Sequence, residues 1–444
     1  MSFIPVHQLL SKMSASAWNH TMEDPDYASY ISSLITAIKS SQSKRILIIS
    51  KDRYHFLAGF LAALHAGVPV VLPQSDTPGH LKDIIQPEDC LLSDQAELSD
   101  ITSRFITLNN TGLVVPNNIS SIDPSKATII FYTSGSTGSP KPIVKSLKQL
   151  EAEIKALQNT WGAGSGTFLS TVPHHHIYGL LFSLLWPACG GFHIMRQTFA
   201  YWEDLTSHCK AEDYIISSPS HLGRFPAINA IASKIFSSGA PLSFEAAQAT
   251  KQIFGKLPIE VYGSTETGGI AYRQQSGQAQ SWTRFKNVEL STGVDQKLRV
   301  RSSYLSDDNF YQTEDRVDLI DRDQFRLLGR ADRIVKVEGK RICLLELEQK
   351  LKAMDYITDS VVLMLDTKSR DELGAIVVLS ESGQEDLTTQ GRLEFVKNIR
   401  KTLSLNFDII SIPRKWRFVV RLPINDQGKS PLNLLQACFR EGDQ

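Results

Sequence analysis

The chain has 444 residues, too many for one hydrophobic core, and its length suits a large domain with a smaller companion. Its 47 basic and 47 acidic side chains cancel, which removes the electrostatic case for nucleic acid or an acidic membrane surface, and no basic stripe interleaved with aromatics occurs. Five cysteines, Cys90, Cys189, Cys209, Cys343 and Cys438, are odd in number and lack C-x-x-C spacing, so they read as reduced thiols of a cytoplasmic protein.

Residues 1–30 mix Trp18, His20, Glu23, Asp24 and Asp26 and hold no apolar core of signal-peptide length. An alternating rhythm follows. Residues 45–50 read as a strand, 54–66 as a helix closed by Gly67, and 68–72 as a strand. Residues 146–161 carry helical spacing; 214–218, 235–238 and 259–262 read as short strands, with a helix over 243–254. The apolar stretches 56–72 and 179–195 are broken by His65, Pro69, Pro187 and glycines, and fall short of the roughly 20 clean residues of a membrane span. They read as buried helices, each feeding a strand. This β-α alternation predicts an α/β fold: mostly parallel sheets flanked by helices. From Arg333 the pattern changes to a small α+β unit, with an amphipathic helix over 344–351, paired strands over 360–365 and 375–379, and a helix whose apolar face carries Leu393, Val396 and Ile399.

Residues 126–141, Lys-Ala-Thr-Ile-Ile-Phe-Tyr-Thr-Ser-Gly-Ser-Thr-Gly-Ser-Pro-Lys, join a buried-strand run to a loop rich in hydroxyls and glycine that ends on a lysine. Thr133, Ser134, Ser136 and Thr137 offer donors, Gly135 and Gly138 let backbone N–H groups turn toward an anion, and Lys141 adds a full charge. Taken alone, such a loop is equally an ordinary polar turn. It is not a Walker loop, since Pro140 stands before the lysine and Pro142 after it, and no G-x-G-x-x-G is present.

The stretch resembles the phosphate loop of the adenylate-forming superfamily, which includes acyl-CoA and aryl-CoA synthetases, luciferases and the adenylation domains of peptide synthetases. It matches from Tyr132 to Lys141 and departs at Pro142, where the family usually has glycine. Further elements resemble the family in the same order. Tyr262-Gly263-Ser264-Thr265-Glu266 is similar to an element whose aromatic ring lies on adenine, whose threonine bonds the α-phosphate and whose glutamate holds Mg²⁺. Thr313-Glu314-Asp315 resembles one whose aspartate accepts both ribose hydroxyls, with Glu314 in place of glycine. Gly329-Arg330-Ala331-Asp332 resembles the hinge element, with Arg330 for ribose or phosphate and Asp332 as the pivot. Asn425-Asp426-Gln427-Gly428-Lys429 resembles the loop of the catalytic lysine.

The resemblance implies an N-terminal adenylation domain over 1–331 and a mobile C-terminal domain over 332–444 that carries Lys429. It also implies ATP and Mg²⁺ as cofactors, with CoA or phosphopantetheine as acceptor. Pro173-His174-His175-His176-Ile177-Tyr178-Gly179 resembles part of the acyl pocket, with His176 at a pocket histidine position. Adjacent histidines rarely converge on one ion, so metal is not expected there. Peptide-synthetase domains pair the substrate ammonium with an aspartate in this region; none lies between Thr171 and Leu181, which argues against an α-amino acid. Ser238-Gly239-Ala240 resembles the strand end beside adenine and substrate, whose small residues admit a flat or extended acid.

The expected reaction is activation of an aryl or fatty acid as acyl-adenylate, then transfer to a pantetheine thiol of CoA or of an acyl carrier protein. Two basic groups, Arg414, Lys415, Arg417 and Arg421 just before the lysine loop and Lys397, Arg400 and Lys401 ahead of them, are equally a solvated face or a patch that would suit an acidic carrier. The alternatives are a non-catalytic nucleotide-binding relative and an adenylating enzyme with another acceptor.

Overall fold

Residues 53–66 form a helix because Asp52 caps it and nothing inside it breaks the pattern: Asp52 Oδ1 accepts the N–H groups of Tyr54 (2.7 Å) and His55 (3.4 Å), and Gly67 stops it in the left-handed conformation. The helix Arg53–Ala66 is buried along nearly its whole length, which explains an apolar run with no polar face. It leads into the strand Val70–Leu72, as the alternation predicted. The computed structural model describes residues 3–12, 27–109, 121–134, 140–162, 164–277, 281–293, 295–337, 340–366, 371–407, 409–425 and 430–440.

The chain divides into two units, one of residues 1–291, 299–311 and 320–325, the other of 292–298, 312–319 and 326–444. The larger unit holds a six-stranded sheet in the order Phe105–Thr107, Asp89–Ser93, Arg45–Ile49, Val70–Leu72, Thr128–Ser134, Pro140–Ser146. All neighbours are parallel except the last pair.

Its second sheet runs Trp282–Arg284, Gly268–Arg273, Ile259–Ser264, Lys234–Ser237, Tyr214–Ser217, Thr167–Ser170, His193–Ile194. The last five are parallel; four of them bury Ile, Phe or Leu, and Ile259–Ser264 buries Ile259, Glu260 and Val261. The helix Leu147–Trp161 starts in a capping box of Ser146 and Gln149 and delivers Trp161 into an aromatic cluster with Phe182, Phe236, Tyr272 and Phe285. The helical run from Ile177 to Gly190 contains a π turn at Leu181–Leu185, just before Pro187. A proline has no N–H for the regular ladder, and the wider turn accommodates it.

In the smaller unit Ile357–Asp366 pairs antiparallel with Asp371–Leu379, which pairs parallel with Lys415–Val419. The helices Leu344–Lys352 and Arg392–Leu403 cover this sheet through Leu347, Leu351, Phe395, Ile399 and Leu403. Leu393 is 91% exposed and corrects the expected face: Phe395, Ile399 and Leu403 recur at i, i+4, i+8, and a residue two before Phe395 falls outside that stripe. Among the described residues no helix is long and apolar enough to cross a membrane.

Candidate functional site

The strands Thr128–Ser134 and Pro140–Ser146 flank the phosphate-loop motif as an antiparallel pair, with Thr133 opposite Lys141 and Ser134 opposite Pro140. Gly135, Ser136, Thr137 and Gly138 lie outside the described residues. Thr133 Oγ1 donates to the Lys141 carbonyl at 3.4 Å, and Lys141 is exposed. Pro142 proves compatible with this hairpin. Pro140–Ser146 is an edge strand, and Pro140 and Pro142, two apart, put their missing N–H groups on the same side of it.

Tyr262, Gly263, Thr265 and Glu266 lie at the carboxyl end of Ile259–Ser264, a parallel strand that turns back tightly into Gly268–Arg273. A bulge falls between Tyr262 and Gly263. The turn is stapled by two hydroxyls: the Ser264 N–H donates to Thr267 Oγ1 (3.1 Å) and the Thr267 N–H to Ser264 Oγ (3.2 Å). Thr265 and Glu266 stand half-exposed at the tip. The Tyr262 ring packs near Trp282 and Phe325, at centroid distances of 5.4 and 5.9 Å, which fixes its plane.

Gly268 has φ +69°, and a Cβ there would lie 2.5 Å from Glu153 Oε2. Glu153 is buried, accepts the Gly269 N–H at 2.7 Å, and has its pKa raised by desolvation. Lys145 is buried beside it and donates from Nζ to the Glu266 carbonyl (2.6 Å) and the Tyr304 carbonyl (2.8 Å).

The neighbouring parallel strands end in hydroxyls. Ser238 Oγ donates to the Val261 carbonyl at 2.8 Å, and Thr171 and Ser217 share a hydrogen bond of 2.9 Å. Gly239 and Ala240 follow, exposed. Carboxyl ends of parallel strands are where open α/β sheets take ligands.

His174, His175 and His176 are adjacent but do different things. His174 is buried, its Nε2 donates to the Ser50 carbonyl at 2.9 Å, and burial, with Arg53 and His175 adding to it, holds its pKa well below the usual imidazole value. His176 sits half-buried at the start of the helix, its ring 4.3 Å from that of His175. Pro173 folds back onto Gly179 so closely that a Cβ there would lie 1.9 Å from the Pro173 carbonyl oxygen, so only glycine admits this loop. Among the described residues no cluster of three or more His, Cys, Asp or Glu could hold a metal. Glu266 alone still fits Mg²⁺, which keeps most of its ligands as water and phosphate and takes one or two protein carboxylates.

In the smaller unit Asp315 stands on Tyr311–Leu319 and Arg330 ends Gln324–Arg330; Asp315 Oδ1 and Arg330 Nη1 are 3.9 Å apart. The Asp315 N–H donates to Thr313 Oγ1 at 3.1 Å, which locks the local backbone. Glu314 occupies a regular strand position, where no glycine is required, and pairs with Lys297 at 2.7 Å. Asp332 lies in the short 3₁₀ turn Ala331–Arg333, anchored by the ion pair of Arg333 with the buried Glu348. Lys429 lies outside the described residues. Of the expected basic cluster, Lys397 pairs with Glu394, Arg400 donates to the Pro413 carbonyl, and Arg417 donates to the Cys438 carbonyl.

Lys145, Glu153 and Arg53 were not apparent in the sequence. Arg53 is wholly buried, donates to the Met195 carbonyl at 3.2 Å, and has its pKa lowered to about 9 by desolvation. The strand Pro140–Ser146 carries both an aliphatic and a cationic side chain at consecutive positions, and the two faces take them in an unusual order. Val144 is 60% exposed and Lys145 4%.

Parallel strands ending in hydroxyls beside a threonine–glutamate turn put the motif residues at the carboxyl end of an open α/β sheet, where folds of this class take ligands. The chain belongs to the AMP-binding enzyme family, whose sequence profile matches residues 26–295. It is 28% identical over 314 residues to 4-coumarate–CoA ligase of Rhodobacter capsulatus, covering 68% of this chain and 75% of that one. It is 24% identical over 351 residues to 4-chlorobenzoate–CoA ligase of an Arthrobacter species, covering 68% and 64%. Its fold is similar to that of ATP-bound MatB from Rhodopseudomonas palustris, with a TM-score of 0.80 and 16% identity over 99% of both chains. It is also similar to that of o-succinylbenzoate CoA synthetase from Bacillus subtilis with the acyl-adenylate intermediate OSB-AMP, with a TM-score of 0.72 and 18% identity over 92% of this chain and 91% of that one.

Proposed function

We propose that this AMP-forming acid–thiol ligase activates a flat aryl acid with ATP and passes it to the thiol of CoA. The observation that carries the reading is the match to the AMP-binding enzyme family over residues 26–295, which takes in both the phosphate-loop motif and the Thr265–Glu266 turn that Lys145 ties to the strand after that motif. In the first half-reaction a carboxylate oxygen bonds to the α-phosphorus while the bond to the bridging oxygen of the β-phosphate breaks, and pyrophosphate leaves. In the second the thiol sulfur bonds to the acyl carbon, AMP leaves with the electron pair, and the thiol proton passes to solvent.

The protein supplies position and charge. Thr133, Ser134, Ser136, Thr137 and Lys141, with the backbone of Gly135 and Gly138, would bind the departing phosphates. Thr265 would bond the α-phosphate, and Lys429 the reacting oxygens. Tyr262, Gly263, Gly239 and Ala240 would border adenine, Asp315 would take the ribose hydroxyls, Arg330 the ribose or phosphate, and His176 would border the acyl group. Mg²⁺, held by Glu266, would neutralise phosphate charge. The domain over 332–444 would turn about Asp332 between half-reactions, withdrawing Lys429. The five unpaired cysteines suit a reducing, cytoplasmic setting.

The acid class rests on the small residues after Ser237 and on relatives named for 4-coumarate and 4-chlorobenzoate. Acid-dependent exchange of labelled pyrophosphate into ATP tests it, with cinnamates, benzoates, fatty acids and α-amino acids as candidates. Exchange with aryl acids alone is the expected result; exchange with fatty acids or amino acids instead, or with none, overturns it. An acyl carrier protein is a second acceptor, favoured by the exposed Lys401, Arg414 and Arg421. Supplying CoA or holo-carrier protein to enzyme charged with adenylate decides between them, and charge reversal at Arg414 and Lys415 would weaken only carrier loading.

A further inference from the structure

Lys145 is a charged side chain placed where a strand of this kind normally buries an aliphatic one. Its strand turns the exposed Val144 outward and Lys145 inward, and Nζ reaches two carbonyl oxygens, Glu266 at 2.6 Å and Tyr304 at 2.8 Å. Both acceptors are themselves held. Tyr304 is buried, its hydroxyl donates to Asn287 Oδ1 at 2.9 Å, and its carbonyl also accepts Gln149 Nε2 at 3.1 Å. Gln149 belongs to the capping box of the helix that carries Glu153, and Glu153 grips the Gly269 N–H on the far side of the same turn. The turn bearing Thr265 and Glu266 is therefore fastened at its carbonyl by Lys145, at its returning strand by Glu153, and internally by Ser264 and Thr267.

Burying an ammonium is costly unless it is paired and bonded. A packed leucine would fill the space without that cost but could not hold a carbonyl. We propose that Lys145 is a positioning residue for adenylation: it fixes the Glu266 main chain, and so sets where the Thr265 hydroxyl and Glu266 carboxylate meet Mg·ATP relative to the strand that begins at Pro140. This rests on the roles given to Thr265 and Glu266 above. Removing a supporting contact of this kind typically costs about 10–100-fold in affinity or rate.

The test compares Lys145→Met with the double variant Lys145→Met/Glu153→Gln. The double variant leaves no unpaired buried charge, and its glutamine oxygen still accepts the Gly269 N–H. Mg·ATP affinity is read by titration calorimetry without acid, and kcat and KM by pyrophosphate exchange. Both variants should bind Mg·ATP about tenfold more weakly and exchange with kcat lowered about 10–100-fold, while converting preformed acyl-adenylate to thioester at the wild-type rate.

Recovery of wild-type affinity and kcat in the double variant would mean that Lys145 only neutralises Glu153, and overturns the proposal. A lower melting temperature with unchanged affinity and kcat overturns it too. Glu266→Gln, measured alongside, separates the two readings: if it leaves Mg·ATP binding unchanged, the Glu266 role fails whatever Lys145 does.

Discussion

Arg330 Nη1 lies 3.9 Å from Asp315 Oδ1, so two motif residues fifteen positions apart in sequence meet on neighbouring strands of one unit. The cation draws the carboxylate toward the Arg330 side, and a carboxylate, which accepts hydrogen bonds and donates none, suits a diol. Hydrogen bonds to a charged acceptor are worth about 1.5–3 kcal/mol each. Asp315→Asn should therefore raise the KM for ATP by about 10–100-fold and erase the preference for ATP over 2′-deoxy-ATP, as read by pyrophosphate exchange. An unchanged preference would remove Asp315 from the ribose site.

Lys429→Ala should abolish most adenylation and spare thioester formation from preformed acyl-adenylate. One lost contact to developing charge costs about 3–4 kcal/mol in the first barrier, by analogy with oxyanion donors. Single-turnover rates of the two half-reactions check it. Equal loss in both would contradict the assignment.

Asp332→Pro should let adenylate form and then accumulate on the enzyme, because proline fixes φ at the pivot and removes its N–H. Chemical quench would show acyl-adenylate close to one per enzyme with slow thioester release. Unchanged steady-state turnover would place the hinge elsewhere.

His174 provides a pH-dependent stability term. Burial, aided by Arg53 and His175, holds its folded pKa well below 6.5, so the folded protein keeps it neutral while the unfolded chain takes a proton. The unfolded state then binds more protons, and stability falls as pH drops below about 6.5, by up to about 1.4 kcal/mol per pH unit. His174→Gln keeps a donor for the Ser50 carbonyl but cannot titrate. Urea unfolding at pH 7.5 and pH 5.5 should show a smaller acid loss in the variant than in the parent; parallel losses would refute the term.

Much of the architecture was written locally. Gly67 after a long apolar run, Ser146 before a periodic one, and short Ile- and Phe-rich segments between helices specify where elements begin and end, because caps and periodicity depend only on near neighbours. The motif residues around Tyr262 and Asp315 were legible for the same reason: each is a run of specific residue types. The departures at Pro142 and Glu314 were legible only as anomalies, and tertiary context explains them, one by an edge strand and the other by Lys297. Which charges go inside was not legible at all. Val144 lies outside and Lys145 inside because the carbonyls of Glu266 and Tyr304, far away in sequence, and the carboxylate of Glu153, on the helix that follows, lie near that point and offset the desolvation of an ammonium. Arg53 and His174 are buried on the same terms, held by the carbonyls of Met195 and Ser50, whereas Leu393 stays in water because the stripe facing the core begins two residues later. A residue's spacing sets which way it can point; only the assembled fold supplies the partners that decide whether a polar group can be buried there.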